Sequence, residues 1–403
     1  MRTPTPALAA SALTLLALAA CGTGSNGSGA SGGSNGPIVV GTSLSLTGPL
    51  GSIGTVQLPG YEQLVADVNA AGGVAIGDKK HKITLKTLDN KSDPNLASQQ
   101  IRELILKDKA SALLGAATPP INVPEALAAE QGRTPMVLTA TPIQAFVQAN
   151  PTGWTYAWNF FFDETQAAEQ TIKAVSLPAT NKKVALFTDT EPDGTVEREL
   201  FKQAAATGGL QVVGDYSFPV GTSDFSSFIS DARTKGAQIV IGQMIPPDGI
   251  ALWKQMKSLN FKPPVAFVTK ASSSSAWPKA LGPLAEDTLG TGLWSVAEDL
   301  PGTQHLLDTL GKKLPEPDSH LAVNAYAAGQ VLMRALTAAG STDAKAVNTA
   351  LGASTFDTAV GNVKFDDKHV WPMPQFIMQF KSGVPVQVFP PGKQLQAPNA
   401  GLQ

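Results

Sequence analysis

Short apolar runs alternate with longer amphipathic stretches along most of this chain, and they do so in two series. Ile38-Val39-Val40-Gly41 reads as a strand that runs into a loop of Gly, Ser and Thr. Residues 58–71 set Leu58, Tyr61, Leu64, Val65 and Val68 on one face of a helix. Gly72-Gly73 stops that helix, as glycine does at helix C-termini. Residues 83–88 alternate like a strand, and Asp93-Pro94 signals the start of a helix over 95–109. A strand at 112–114, a helix at 123–131 and a strand at 135–138 follow. The second series has strands at 184–187, 211–216 and 239–241 and helices at 196–207, 225–234 and 250–259. This alternation predicts parallel sheets covered by helices on both faces. Two series joined near 160–163 predict two lobes of like architecture. In such sheets ligands sit beyond the C-terminal ends of the strands, so the loops after the strands are where a site belongs.

Little in the composition favours chemistry. The formal net charge of −2 gives no basic field for nucleic acid. The single cysteine, Cys21, allows no disulfide and no thiolate metal site. His81, His305, His320 and His369 are scattered and form no HxxxH pair, so no metal site is expected. There is no GxSxG, Walker A or SxxK motif; Lys279 stands in the wrong register to the Ser272 to Ser275 run. Neither an enzyme nor a cofactor is expected.

The N-terminus has its own logic. Arg2 precedes an Ala- and Leu-rich run over 7–20, shorter than the roughly 20 apolar residues of a membrane span and laid out like a secretory signal. Leu18-Ala19-Ala20-Cys21 resembles the lipobox of bacterial lipoproteins, in which the cysteine is acylated and becomes the new N-terminus. Residues 1–20 are therefore expected to be a cleaved signal peptide. Residues 21–37 are expected to be a lipidated Cys21 and a flexible Gly/Ser/Asn tether. Gly22-Thr23-Gly24-Ser25-Asn26-Gly27 fits GxGxxG only formally, since no strand precedes it and no helix follows.

Several segments carry a family likeness. Val65-Ala66-Asp67-Val68-Asn69-Ala70-Ala71-Gly72-Gly73-Val74, followed by Leu88-Asp89-Asn90-Lys91-Ser92-Asp93-Pro94, resembles the signature of branched-chain amino-acid-type periplasmic binding proteins. Ser45-Leu46-Thr47-Gly48-Pro49, Thr222-Ser223-Asp224-Phe225-Ser226 and Asn324-Ala325-Tyr326-Ala327-Ala328 resemble further stretches of the same family, over about 38–380. The resemblance implies a type I periplasmic-binding fold: two Rossmann-like lobes with parallel sheets, joined by a hinge that the chain crosses three times. It places lobe 1 at 38–161 with 299–376 and lobe 2 at 162–298 with 377–403. It implies an exported, monomeric solute-binding component of an ABC importer that captures a small organic solute by lobe closure. The partners it implies are an ABC permease with its ATPase subunits and, through the lipid, the outer face of the cytoplasmic membrane or the periplasm. A lipoprotein module that senses a ligand for a signalling receptor is the alternative.

The resemblance also implies site residues. The loop that offers hydroxyls to a ligand carboxylate falls at Gly115-Ala116-Ala117-Thr118-Pro119-Pro120, where proline stands in place of serine and Thr118 keeps a hydroxyl. The next loop, Thr139-Ala140-Thr141-Pro142, matches a stretch that offers backbone amides and a hydroxyl. Asp193 stands where the family has a ligand-facing Tyr, and Ile53 replaces a first-lobe aromatic. The position of an ammonium-pairing acid falls near Thr269-Lys270, where no acid stands. Gln243 follows a strand at the cleft edge. Trp158, Phe160 and Trp294 either pack in the core or line the cleft. The ligand implied is an amino acid, an amide or a small carboxylate that differs from free leucine and has a flat or apolar body.

Overall fold

The computed structural model describes residues 36–390. The expected signal peptide, Cys21 and most of the Gly/Ser/Asn stretch lie outside the described residues. Two sheets organise the body. The first has the order Val370–Pro372, Ala157–Phe161, Met136–Leu138, Ala112–Leu114, Ile38–Leu44, Ile83–Asp89, with every pair parallel. The second runs Val384–Phe389, Phe376–Lys381, Leu289–Gly292, Val265–Lys270, Ile239–Met244, Lys183–Asp189, Gln211–Phe218. Its first two pairs are antiparallel and the others parallel. The fold is the type I periplasmic-binding architecture that the alternation and the resemblance implied.

The strands are apolar on both faces because helices cover both. In the first sheet Leu114 and Val137 are in register and face one core, with Tyr61, Leu64 and the helix Asp318–Ala339. Their neighbours Leu113, Met136 and Leu138 face the opposite core, with Ile101, Leu104 and Phe146. The period of two along a strand produces this division. Lobe 2 repeats it: Phe187, Val240 and Val268 meet Trp253 and Trp277, while Leu186, Ile241 and Phe267 meet Ile172 and Phe201. Each such side chain contributes about 1.5–3 kcal/mol when fully buried.

The chain passes between the sheets three times: after Phe161, after Gly292 and between Pro372 and Phe376. Phe376, read from the sequence as the last residue of lobe 1, instead pairs with Gly292 in the second sheet. The crossing there is only Met373-Pro374-Gln375, so the strand begins sooner than expected. Helix starts were also read late. The helices expected at 123, 196 and 250 begin at Pro119, Pro192 and Pro246. Each opens on a proline, whose fixed φ and missing N–H suit the first helical position. The first helix spans Gly51–Ala70, with Pro59 inside it, rather than beginning at Leu58. Asp93 caps the helix Pro94–Leu106 as its sequence promised, accepting from the Asn95 and Leu96 N–H groups.

The two motif stretches turn out to be scaffolding. Asn69 both donates to and accepts from the Ile83 backbone and so splices the first helix to a strand. Gly73, at φ +109°, lies so close to the His81 carbonyl that any Cβ would overlap it. Asp89 accepts from the Leu46, Thr47 and Lys91 N–H groups, and Asn90 bonds Ser45. These contacts fix the loop after the first strand and with it the start of the helix that carries Ile53. Gly60 packs the first helix directly against the Ala322 carbonyl of Asp318–Ala339.

Candidate functional site

A cavity lies where the C-terminal ends of both sheets face each other. It offers about 50 Å3 of room for the centre of a water-sized molecule, and it opens to solvent. From lobe 1 come Ile53, Ala117, Thr118, Pro119, Ala140 and Phe161; from lobe 2 come Asp193, Glu197, Thr269 and Lys270. Thr291, Leu293 and Leu321 close the hinge side.

Each wall is held from beneath. Tyr61 Oη donates to the Gly115 carbonyl at 2.7 Å, and Gln57 Nε2 to the Ala116 carbonyl at 2.8 Å. Glu125, buried under the same loop, accepts from the Ala116 N–H at 3.1 Å. Asn122 Nδ2 reaches the Thr139 carbonyl at 2.9 Å and Thr141 Oγ1 at 2.6 Å, tying the two lobe 1 loops together. Three lining residues without glycine's freedom have positive φ: Thr118 at 71°, Ala140 at 58° and Lys270 at 60°. Such backbone costs of order 1–3 kcal/mol and persists where the surroundings over-determine it. All three stand at strand-to-helix corners that point into the cavity.

Lobe 2 supplies the charge. Lys270 is buried, with its ammonium 2.9 Å from Asp193, 3.6 Å from Glu191 and 3.8 Å from Asp189. Burial works against that ammonium, but Asp193, Asp189 and Glu191 outweigh it and hold it above its ordinary value. Asp193 Oδ2 also accepts from Gln243 Nε2 at 2.8 Å. Burial pushes the Glu197 carboxyl well up, and neighbouring Glu164 and Asp193 push it further. Glu164 rises to about 8, chiefly through burial, although the Ala145 N–H bonds it. Burial likewise lifts Asp189 above the usual carboxylate range against the pull of Lys270. Gly194 is a close-approach residue: a Cβ there would overlap Asp189, and Gln243 stands beside it.

Of the residues singled out from sequence, Ile53, Thr118, Ala140 and Asp193 line this cavity together. Thr139 and Thr141 are fully buried and are not among the lining residues. Gln243 is an internal strand residue that orients Asp193 rather than a lining one. Trp158 turns away, donating to Asn348 at 2.7 Å and stacking on His369 at 3.4 Å between ring centres. Phe160 is core, edge-on to Trp371. Trp294 borders a neighbouring cavity with Ser295, Glu298 and Trp371, and meets the neutral, buried His320 edge-on. Sequence reasoning did not single out Phe161, Phe162 or Glu197 as lining residues, whereas the ligand-facing position it placed near Thr269-Lys270 does line the cavity. Phe161 ends a strand and Glu197 lies one turn beyond Asp193, so strand end and helical spacing were the signals available.

Two lobes, a cavity walled by both at their strand ends, and polar atoms there without protein partners define a two-lobed solute-binding protein. The family model described as Periplasmic binding protein matches residues 37–384, and the chain belongs to that family. A Leu/Ile/Val-binding protein homolog 3 of Brucella melitensis is 27% identical over 342 residues, 84% of this chain and 90% of that protein. The crystal structure of a leucine binding protein LivK from Thermotoga maritima superposes with a TM-score of 0.77 at 20% identity, covering 87% of this chain and 97% of that one. An ABC transporter solute binding protein from R. palustris, in complex with benzoate, gives a TM-score of 0.74 at 18% identity, covering 91% and 97%. This is a family of extracytoplasmic solute-binding proteins of ABC importers, not of enzymes. Among the described residues no helix is long and apolar enough to cross a membrane.

Proposed function

We propose that this protein captures a small organic solute in the cavity between its lobes and presents it to an ABC permease and its ATPase subunits. The observation that carries the reading is a cavity at the strand ends of both sheets whose facing walls carry polar side chains, Thr118 from one lobe and Asp193 and Lys270 from the other, among apolar ones such as Ile53, Phe161 and Leu293. A ligand that touches both walls stabilises the closed form, because it binds that form better than the open one. Lobe 1 is 38–161 with 293–375 and lobe 2 is 162–292 with 376–390 in this reading. Cys21 carries the lipid, the stretch up to 37 is the tether, and the protein works as a monomer at the outer face of the cytoplasmic membrane or in the periplasm. A thermal-shift screen of amino acids, amides and small acids tests solute capture, since a ligand of the native state raises its stability. Small-angle scattering with the hit should show compaction; an unchanged radius of gyration at saturation refutes closure. Cys21→Ala should leave the precursor uncleaved or release the protein from the membrane.

A further inference from the structure

Asn122 is wholly buried in the helix Pro119–Gly132, behind the lobe 1 wall, and does not itself line the cavity. Its Nδ2 lies 3.2 Å from the Ala116 carbonyl, 2.9 Å from the Thr139 carbonyl and 2.6 Å from Thr141 Oγ1. It therefore grips the loops after two neighbouring strands, Ala112–Leu114 and Met136–Leu138. Gly115 makes room for it, since a Cβ there would stand 2.8 Å from Asn122 Oδ1.

A peptide is planar and trans, so its N–H points away from its C=O. The Ala116 carbonyl shares a peptide with the Ala117 N–H, and the Thr139 carbonyl shares one with the Ala140 N–H. Ala117 and Ala140 both line the cavity, and no group among the described residues accepts either N–H. The flanking N–H groups are spent: that of Ala116 on Glu125, that of Thr118 on the Ala140 carbonyl. By drawing two carbonyls back, Asn122 turns two N–H groups toward the cavity. The two peptides are not held alike. Gln57 Nε2 also bonds the Ala116 carbonyl, at 2.8 Å, whereas Asn122 is the one donor to the Thr139 carbonyl among the described residues. Ala140 has φ of 58°, and a half turn of its peptide would bring φ into the ordinary negative range. Without Asn122 the Thr139 carbonyl is a buried acceptor left unpaired, which is costly, so that peptide gains twice by turning over and taking its N–H out of the cavity.

Resting on the solute-binding reading above, we infer that Asn122 is a positioning residue: from behind the wall it sets the direction of the N–H groups that the solute meets. Crystal structures of the wild type and of Asn122→Leu, which keeps the shape of the side chain without its donors, test this. In the variant the Thr139–Ala140 peptide should turn over, with negative φ at Ala140, while Gln57 keeps the Ala116–Ala117 peptide in place. A merely structural tie would not single out one peptide in this way. Asn122→Asp, of the same shape and with no N–H, serves if the leucine variant does not fold. Titration calorimetry with leucine and with benzoate as probes gives the second readout. A probe that the wild type binds should bind the folded variant about tenfold or more weakly, the scale of one lost hydrogen bond. Hydrogen exchange of the wild type needs no variant: the Ala117 and Ala140 amides should exchange about tenfold or more faster than those of Ala116 and Thr118. A variant whose Ala140 N–H still faces the cavity overturns the inference. Unchanged affinity for a bound probe, or equal protection of the four amides, overturns it as well. If neither probe binds the wild type, the peptide orientation and the exchange rates decide on Asn122, and the thermal-shift screen judges solute capture separately.

Discussion

Lys270→Met removes the one positive charge from a buried acidic cluster and keeps much of the side chain's volume. Lys270 is held 2.9 Å from Asp193, with Glu191 and Asp189 at 3.6 and 3.8 Å. Taking one partner from a buried ion pair leaves uncompensated charge and costs about 3–5 kcal/mol. For a body of residues 36–390, an unfolding entropy of about 2.1 cal/mol/K per residue turns that into a fall of roughly 4–7 °C in Tm near neutral pH. The loss depends on pH in a definite sense. Without Lys270, burial drives the folded-state values of Asp189 and Glu191, already raised, further above their unfolded values near about 4. A carboxyl raised in this way leaves stability intact below its unfolded value and removes it as pH rises toward the folded value. The gap between variant and wild type should therefore be small near about pH 4.5 and widest above about pH 7. Differential scanning calorimetry of both proteins across that range measures it. A variant as stable as wild type at neutral pH, or a Tm deficit that stays constant with pH, refutes the reasoning.

Asp318→Asn should loosen the closed form. Asp318, on the helix packed against lobe 1, accepts from the Ser275 N–H at 2.6 Å and Ser275 Oγ at 2.5 Å, after the last strand of the Lys270 wall. Weakening these charge-assisted bonds, worth about 1.5–3 kcal/mol each, should lower solute affinity about tenfold or more and enlarge the radius of gyration; unchanged affinity counts against a latch. Glu164→Gln should flatten the alkaline limb of the stability profile. The carboxyl is raised to about 8, so wild-type stability falls as pH climbs from the unfolded value toward 8, and the variant's Tm should show less of that fall. Gly60→Ala should push the helices Gly51–Ala70 and Asp318–Ala339 apart, since a Cβ would overlap the Ala322 carbonyl. Overpacking of this kind costs about 1–3 kcal/mol, to be read as a lower denaturant midpoint with an unchanged slope.

Periodicity carried the fold well, because strands buried on both faces and amphipathic helices leave strong, distinct patterns. Residues 112–114, for instance, were read as a strand and are one. The misreadings fall at helix starts, where the apolar rhythm has not yet begun. Pro119, Pro192 and Pro246 mark those starts by backbone chemistry rather than by hydrophobic spacing, and the turns that Pro119 and Pro192 open line the cavity. Asp193 could be singled out because the resemblance puts a ligand-facing residue at its position, just before Gly194. Lys270 could not be paired with it from sequence, because the two lie on different strand-helix units and meet only when the sheet forms. Trp158 shows the converse: an aromatic near a crossing looks available to a ligand until Asn348 and His369, far along the chain, are seen to occupy it.

The triple passage between the sheets bears on how this chain reaches its destination. The edge strand Val370–Pro372 completes the first sheet by pairing with Ala157–Phe161, after the whole second series has been laid down. The helix Asp318–Ala339, against which the first helix packs, also arrives late. An exported chain threads through its translocation channel from the N-terminus, and the parts that emerge first cannot close their own core. Contacts so distant in sequence form slowly. The early segments therefore remain open while the rest is still in transit. The same topology that lets two lobes share a hinge makes the first lobe complete only once Asp318–Ala339 and Val370–Pro372 are in place.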